Sequence, residues 1–260
     1  MIPGEKRKYI FAIYAFARQA DDYADEPGIG SVSERLELIN LWNKKLNDCN
    51  KNEAEEPVFI ALSQTVKDCN IPVEPLENLL KAFRQDVIKN RYKDFDEVLS
   101  YCENSANPIG RLVLMVYGCK DDEFFYYSDK ICTALQLTNF WQDIKIDLEK
   151  DRIYIPLDDM LRFNYSEQEL TGFQYNDNFR ELMQYEAERT EKMFDEGAKL
   201  IEHAHKDPVL HSLASELKLI LLGGRLILKK LKEIKYDIFE KRPVITGIDK
   251  IKLFSKSKLL

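Results

Sequence analysis

Apolar residues return at three- and four-residue steps over residues 6–26, 33–49, 55–69, 73–90, 94–118, 122–149, 175–206 and 209–236. That is the spacing of amphipathic helices, and alternating strand patterns are nearly absent. The breaks fall at Pro27 and Gly28, the polar run 50–56, Pro72, Pro75, Pro156 and Pro208, each a short connection of the kind that joins neighbouring helices. No low-complexity linker and no repeat of 20 to 50 residues interrupts the pattern. One all-α domain over residues 1–260 is the economical reading, and a composition of 45% hydrophobic and 32% charged residues suits an ordinary folded core.

Several functions are excluded by what the chain carries. Its five cysteines (Cys49, Cys69, Cys102, Cys119, Cys132) are odd in number and lack a C-x-x-C pair, which fits reduced thiols in a cytoplasm. His203, His205 and His211 have no Cys or Glu at zinc-ligand spacing and read as solvated surface histidines. The pair Gly28, Gly30 lacks a third glycine and a preceding strand, so it is a loop and not a dinucleotide site. Neither an 18-residue apolar run nor a signal-peptide pattern is present, and a cytoplasmic location is expected. A net charge of −7 argues against a nucleic-acid partner. Residues 241–260 run against that balance, with six Lys/Arg against one Asp interleaved with Ile248, Ile251, Leu253, Phe254, Leu259 and Leu260. Such a basic amphipathic tail could touch the anionic inner face of a membrane peripherally.

The chemistry lies in two acidic rows. In "YAFARQADDYADE", residues 14–26, Tyr14, Arg18, Asp21 and Asp25 are spaced four, three and four and share one stripe of a helix. Asp22 and Glu26 lie beside it. In "QLTNFWQDIKIDLEKDRIYIP", residues 136–156, Gln136, Asn139, Asp143 and Asp147 repeat the arrangement, with Leu137, Phe140, Trp141, Ile144 and Leu148 on the packing side. Two helices thus each present D-x-x-x-D. Gathered carboxylates repel unless a cation neutralises them, and Mg²⁺ is held by one or two carboxylates plus the oxygens of a substrate phosphate. A di-iron bundle would need Glu-x-x-His motifs, which are missing.

These two segments, with "YCENSANPIGRLVL" at 101–114 and "YDIF" at 236–239, resemble the squalene/phytoene synthase family of head-to-head prenyl transferases over nearly the whole chain. The pattern is most similar to the bacterial hopanoid-pathway branch, hydroxysqualene synthase, on Ser105 to Pro108 and on Asp143 to Asp147. The resemblance implies an isoprenoid-synthase helical bundle around a central cavity, with the acidic helices facing each other. It implies that Asp21, Asp25, Asp143 and Asp147, with Asn139 as a neutral ligand, hold Mg²⁺. Tyr14, Arg18 and Gln136 would meet the diphosphate, with Arg152 and Tyr154 beside it. Tyr101 opens a stripe to Ser105, where Ser105, Ala106 and Gly110 would let an isoprenoid chain pass, and Asn107 with Pro108 is expected to kink the helix. Phe11, Tyr101, Phe140 and Tyr154 are candidates to face a carbocation.

For that branch the implied reaction is ionisation of presqualene diphosphate and capture of the rearranged cation by water, giving hydroxysqualene without a reductant. Two alternatives stay open. One is condensation of two prenyl diphosphates to presqualene diphosphate, dehydrosqualene or phytoene; the other is a non-catalytic relative kept as an assembly protein. Family members carry a further segment ahead of the first helix that closes over the diphosphate. About a dozen residues precede Tyr14, so the N-terminus reads as short relative to the family.

Overall fold

The computed structural model describes residues 2–26, 28–50 and 54–258. Pro27, residues 51–53 of the polar run, and Leu259 and Leu260 of the tail lie outside the described residues. Among those described the structure is helical, with a single isolated bridge between Arg91 and Ile153 and no strand. Among the described residues no helix is long and apolar enough to cross a membrane. Contacts gather the chain into two compact units, residues 1–89 with 103–125 and residues 90–102 with 126–260.

The first unit is built on α1 (Gly4–Asp25), whose Ala12, Ile13, Phe16, Ala20 and Ala24 form its buried face. This face packs on α2 (Val32–Asn50), α3 (Pro57–Cys69) and α4 (Glu74–Ile88). Phe16 stacks on Trp42 and meets Phe59 edge-on, and Trp42 Nε1 donates to the Phe16 carbonyl at 3.2 Å. Pro57 and Pro75 sit in the first turns of α3 and α4, where the absent N–H has no helical partner to lose. The expected kink at Pro108 is instead a break. α5 (Phe95–Ser105) stops, Ala106 intervenes, and α6 (Asn107–Val116) begins with Pro108 in its first turn, because the proline ring and missing donor block the continuing ladder.

The second unit is organised by α7 (Asp122–Glu149), 28 residues and so about 42 Å long. After it come the short α8 (Leu157–Arg162) and α9 (Glu167–Thr171), then α10 (Asp177–Gly197) and α11 (Lys199–Lys206). A 3-10 turn (His211–Leu213) leads into α12 (Ala214–Glu233), and α13 (Gly247–Lys258) closes the described chain. The periodic stretch 175–206 is therefore two helices, divided at Ala198. α7 is held closely. Trp141 Nε1 donates to Thr190 Oγ1 of α10 at 2.9 Å, with both residues fully buried. At Gly197 an added Cβ would lie 2.7 Å from Ile131 Cγ1, 3.0 Å from the Ile131 nitrogen and 3.1 Å from the Tyr127 carbonyl. Backbone meets backbone there. At Gly224 of α12 a Cβ would strike the Phe194 ring and come within 2.9 Å of Leu135.

α10 also buries a charged group. Arg189 pairs with Asp159 at 2.8 Å and with Glu186 at 2.5 Å, and its guanidinium lies 3.4 Å from the centre of the Phe95 ring. One cation faces two carboxylates, and Glu186 is 0% exposed. Burial pushes the Glu186 carboxyl up to about 8, since the charged form loses its hydration.

Two outcomes follow for stability. Gly197→Ala should lower stability by about 1–3 kcal/mol, measured by urea unfolding, because rigid backbone atoms cannot yield to the new methyl. Because the Glu186 carboxyl titrates higher folded than unfolded, the unfolded chain binds fewer protons between its ordinary value and about 8, and stability falls as pH rises through that window. Glu186→Gln should flatten this dependence, so that the variant gains on the parent protein between pH 6 and pH 9 in thermal melts.

Candidate active site

Both acidic rows occupy the C-terminal end of a helix. α1 ends at Asp25 and α7 at Glu149, and neither has a basic residue in its last turn. Backbone carbonyls there carry the negative pole of the helix dipole, so carboxylates in the last turn are placed against the usual preference by a few tenths of a kcal/mol or more each. A concentrated negative potential results, and it favours a cation.

In the first unit that cation is Arg18. Its Nη1 lies 3.2 Å from Asp21 Oδ2, and its Nη2 lies 2.5 Å from Asp22 Oδ1 and 3.3 Å from Glu26 Oε1. The Arg18 side chain is half exposed, so each contact is a screened surface pair. Arg35 supports the same helix end, its Nη1 donating to the Ala24 carbonyl at 2.9 Å. Upstream on this side Tyr14 and Phe11 are exposed, at 65% and 62%.

In the second unit the stripe emerges as the spacing demands. Leu137, Phe140, Trp141 and Ile144 are buried while Asn139 is exposed and Gln136, Asp143 and Asp147 are half-buried. Asn139 Nδ2 donates to Asp143 Oδ2 at 3.1 Å, and Arg242 Nε donates to Asp143 Oδ1 at 2.5 Å. The hydrogen bond to Asp143, then the nearby charges of Asp143 and Asp147, raise the Arg242 pKa above its ordinary value. Arg242 arrives on a strap laid along α7: Lys145 Nζ donates to the Phe239 carbonyl at 3.0 Å and Gln142 Nε2 to the Pro243 carbonyl at 2.5 Å. The "YDIF" segment is the start of that strap.

Beyond Glu149 the chain reverses. Asp151 adopts a left-handed conformation (φ 55°), and the Arg152 N–H donates to the Asp147 carbonyl at 2.9 Å. Arg91 clamps the reversal through Asp151 at 2.7 Å and Glu167 at 2.7 Å, and its hydrogen bond holds the Asp151 carboxyl below the usual range. Ile153 N–H bonds the Asn90 carbonyl at 2.9 Å. Tyr154 is thereby laid flat on Phe140, ring centres 3.7 Å apart, with Tyr101 5.9 Å from both and Tyr92 5.5 Å from Tyr154. Three of the four aromatics nominated from the sequence meet here, and Phe11 belongs to the first unit. A cavity of about 10 Å³, room for about one water, is lined by Phe140, Asp147, Arg152 and Tyr154 with Ile144 and Leu170 among others. One carboxylate, one guanidinium and two aromatic rings therefore share a single pocket wall.

The squalene/phytoene synthase family profile matches residues 1–249. The chain belongs to the squalene/phytoene synthase family. Phytoene synthase of Arthrospira platensis is 30% identical over 258 residues, covering 94% of this chain and 81% of that one. The crystal structure of squalene synthase HpnC from Alicyclobacillus acidocaldarius is 36% identical with a TM-score of 0.84, covering 90% of this chain and 86% of that one. A dehydrosqualene synthase solved with a ligand has the same fold at 22% identity and a TM-score of 0.84, covering 99% of this chain and 87% of that one. The isoprenoid-synthase fold expected from the family is the fold observed.

The donor chemistry fits a hard divalent ion in the manner of this family. Each row offers oxygen ligands only. Among the described residues no group of three or more His, Cys, Asp or Glu is gathered closely enough to hold a metal by itself. A binding mode completed by diphosphate oxygens is the one that suits such a donor set. Sequence reasoning missed Arg242 as a partner of the row, treating it only as tail charge, and missed Arg91 and Tyr92. The sole hint for Arg242 was its place three residues after "YDIF".

Mg²⁺ with inorganic pyrophosphate should raise the melting temperature. At about ten times the dissociation constant the gain is about 1.4 kcal/mol. Asp143→Asn should abolish the gain while folding as the parent does, and differential scanning fluorimetry reads both.

Proposed function

We propose that this protein is an Mg²⁺-dependent enzyme that ionises presqualene diphosphate and directs water onto the rearranged cation to give hydroxysqualene. The observation that carries this reading is the meeting of Asp147, Arg152, Phe140 and Tyr154 at one small cavity. The 36% identity to squalene synthase HpnC supports the branch.

In this reading Asp21, Asp25, Asn139, Asp143 and Asp147 would be the metal ligands. Bound Mg²⁺ would neutralise the diphosphate and stabilise the charge it carries away. Arg18, Tyr14, Gln136 and Arg152 bind the diphosphate, the arginines through paired N–H donors suited to phosphate oxygens. Ionisation breaks the C–O bond, and both electrons leave with the diphosphate oxygen. The remaining cation is met by the faces of Phe140, Tyr154 and Tyr101, whose quadrupoles favour positive charge. Their packing admits little free water, so capture is confined to a held molecule. Water adds through its oxygen and loses one proton, and no electrons are exchanged. A cytoplasmic protein with a lipid product suits this scheme.

A second reading, condensation of two prenyl diphosphates to phytoene, dehydrosqualene or presqualene diphosphate, is favoured by the 30% identity to phytoene synthase. A non-catalytic role is disfavoured, because both D-x-x-x-D rows, Asp21 with Asp25 and Asp143 with Asp147, are intact.

Incubation with presqualene diphosphate and Mg²⁺ should yield hydroxysqualene by mass analysis, whereas geranylgeranyl diphosphate should give no phytoene. Asp21→Asn and Asp143→Asn should each reduce kcat/KM by about 10²–10³. Phytoene from geranylgeranyl diphosphate, or consumption of farnesyl diphosphate alone, would transfer the assignment to the second reading.

A further inference from the structure

The tail singled out by its charge folds as α13, and its two sides have different jobs. Leu253 and Ser257 are buried, and α13 packs on α12. Asp249, the only acid on the helix, turns back to the body: its Oδ2 accepts from Lys230 Nζ of α12 at 2.5 Å and from the Thr246 N–H and hydroxyl at 2.8 and 2.7 Å. Lys230 also donates to the Val244 carbonyl at 2.8 Å. The helix is thus fixed in place and its negative charge is neutralised internally.

The outward side is apolar and basic. Ile248, Ile251 and Phe254 are 68%, 73% and 50% exposed, large apolar side chains left in water on one element. At about 100° per residue, Ile248 and Ile251 lie roughly opposite the buried stripe, with Lys252 on one flank and Lys258 on the other. Lys250 and Lys256 are exposed as well, and Lys258 Nζ stands 4.4 Å from the centre of the Phe254 ring. No acid points outward from this helix.

We infer that the outer face of α13 is a docking surface for an anionic lipid bilayer, with Ile248, Ile251 and Phe254 entering the headgroup boundary and the lysines meeting lipid phosphates. Charge selects this occupant. The chain carries −7 overall, yet this face carries only positive charge. A symmetric contact with a second copy would set the same lysines against one another, whereas an apolar centre rimmed by lysines is complementary to an anionic interface. The family match ends at residue 249, near the start of α13, so the surface lies almost entirely outside the segment that defines the enzyme. The inference does not depend on which prenyl diphosphate the active site takes.

The full-length chain is mixed with sedimentable vesicles of phosphatidylcholine alone or of phosphatidylcholine and phosphatidylglycerol in equal parts. Binding to the anionic vesicles should exceed binding to neutral ones by at least about tenfold and weaken as salt rises. The double variant Ile251→Ser, Phe254→Ser and the quadruple variant K250Q, K252Q, K256Q, K258Q should each lose at least about tenfold in vesicle binding. Both should keep the parent helix content and the parent turnover of detergent-dispersed substrate, since every altered side chain is exposed and outside the active site. Parent-like vesicle binding by either variant overturns the inference. So does a concentration-dependent dimer, seen in sedimentation velocity, that the double variant abolishes.

Discussion

A helix whose final turns carry carboxylates opposes its own dipole, and both α1 and α7 are built this way. Asp21, Asp22, Asp25 and Glu26 crowd the end of one, and Asp143, Asp147 and Glu149 the end of the other. Placement at the opposite ends would stabilise each helix, so each row favours a nearby cation. The protein supplies cations of its own. Arg18 reaches three acids of the first row, and Arg242 reaches Asp143 in the second. These contacts are partly exposed, so each is a screened pair of modest strength.

Holding such a row still is the work of the opposite face. α7 presents four buried large residues, Leu137, Phe140, Trp141 and Ile144, immediately behind its polar stripe. The Trp141 indole is tied to Thr190, and Gly197 lets α10 close to backbone contact. Phe140 belongs to both systems, packing in the core with one side and stacking on Tyr154 with the other. The Arg91 clamp on Asp151 and Glu167 then fixes the angle at which Arg152 and Tyr154 return toward Asp147. Scaffold and polar stripe are thus the two faces of one helix.

Much of this was legible in the chain because both features are periodic. The three-and-four spacing gave the helices, and the same spacing of Gln136, Asn139, Asp143 and Asp147 gave the stripe that emerged on the solvent side of α7. Contacts between residues far apart in sequence were not legible. Nothing local connects Arg242 with Asp143 across 99 positions, or Arg91 with Asp151 across 60. Periodicity also overran its breaks. Residues 94–118 read as one kinked helix because the apolar spacing continues through Pro108, yet the proline ends one ladder and opens another. The stretch 175–206 likewise continued its spacing through Ala198, where the chain begins a new helix.

The residues between Asp143 and Asp147 acquire a physical role that the motif alone did not assign. Ile144 is buried and Ile146 is 41% exposed, which leaves Lys145 as the polar member. Its ammonium does not join the acidic stripe; it bonds the Phe239 carbonyl, while Gln142 bonds that of Pro243. Those two hydrogen bonds bracket Arg242 and hold the strap by its backbone, independently of the arginine side chain. Two anchors of the strap therefore do not involve Asp143. A residue without a side-chain donor at position 145 would remove one of the two anchors, so the identity of the intervening residue bears on the second row through the placement of Arg242.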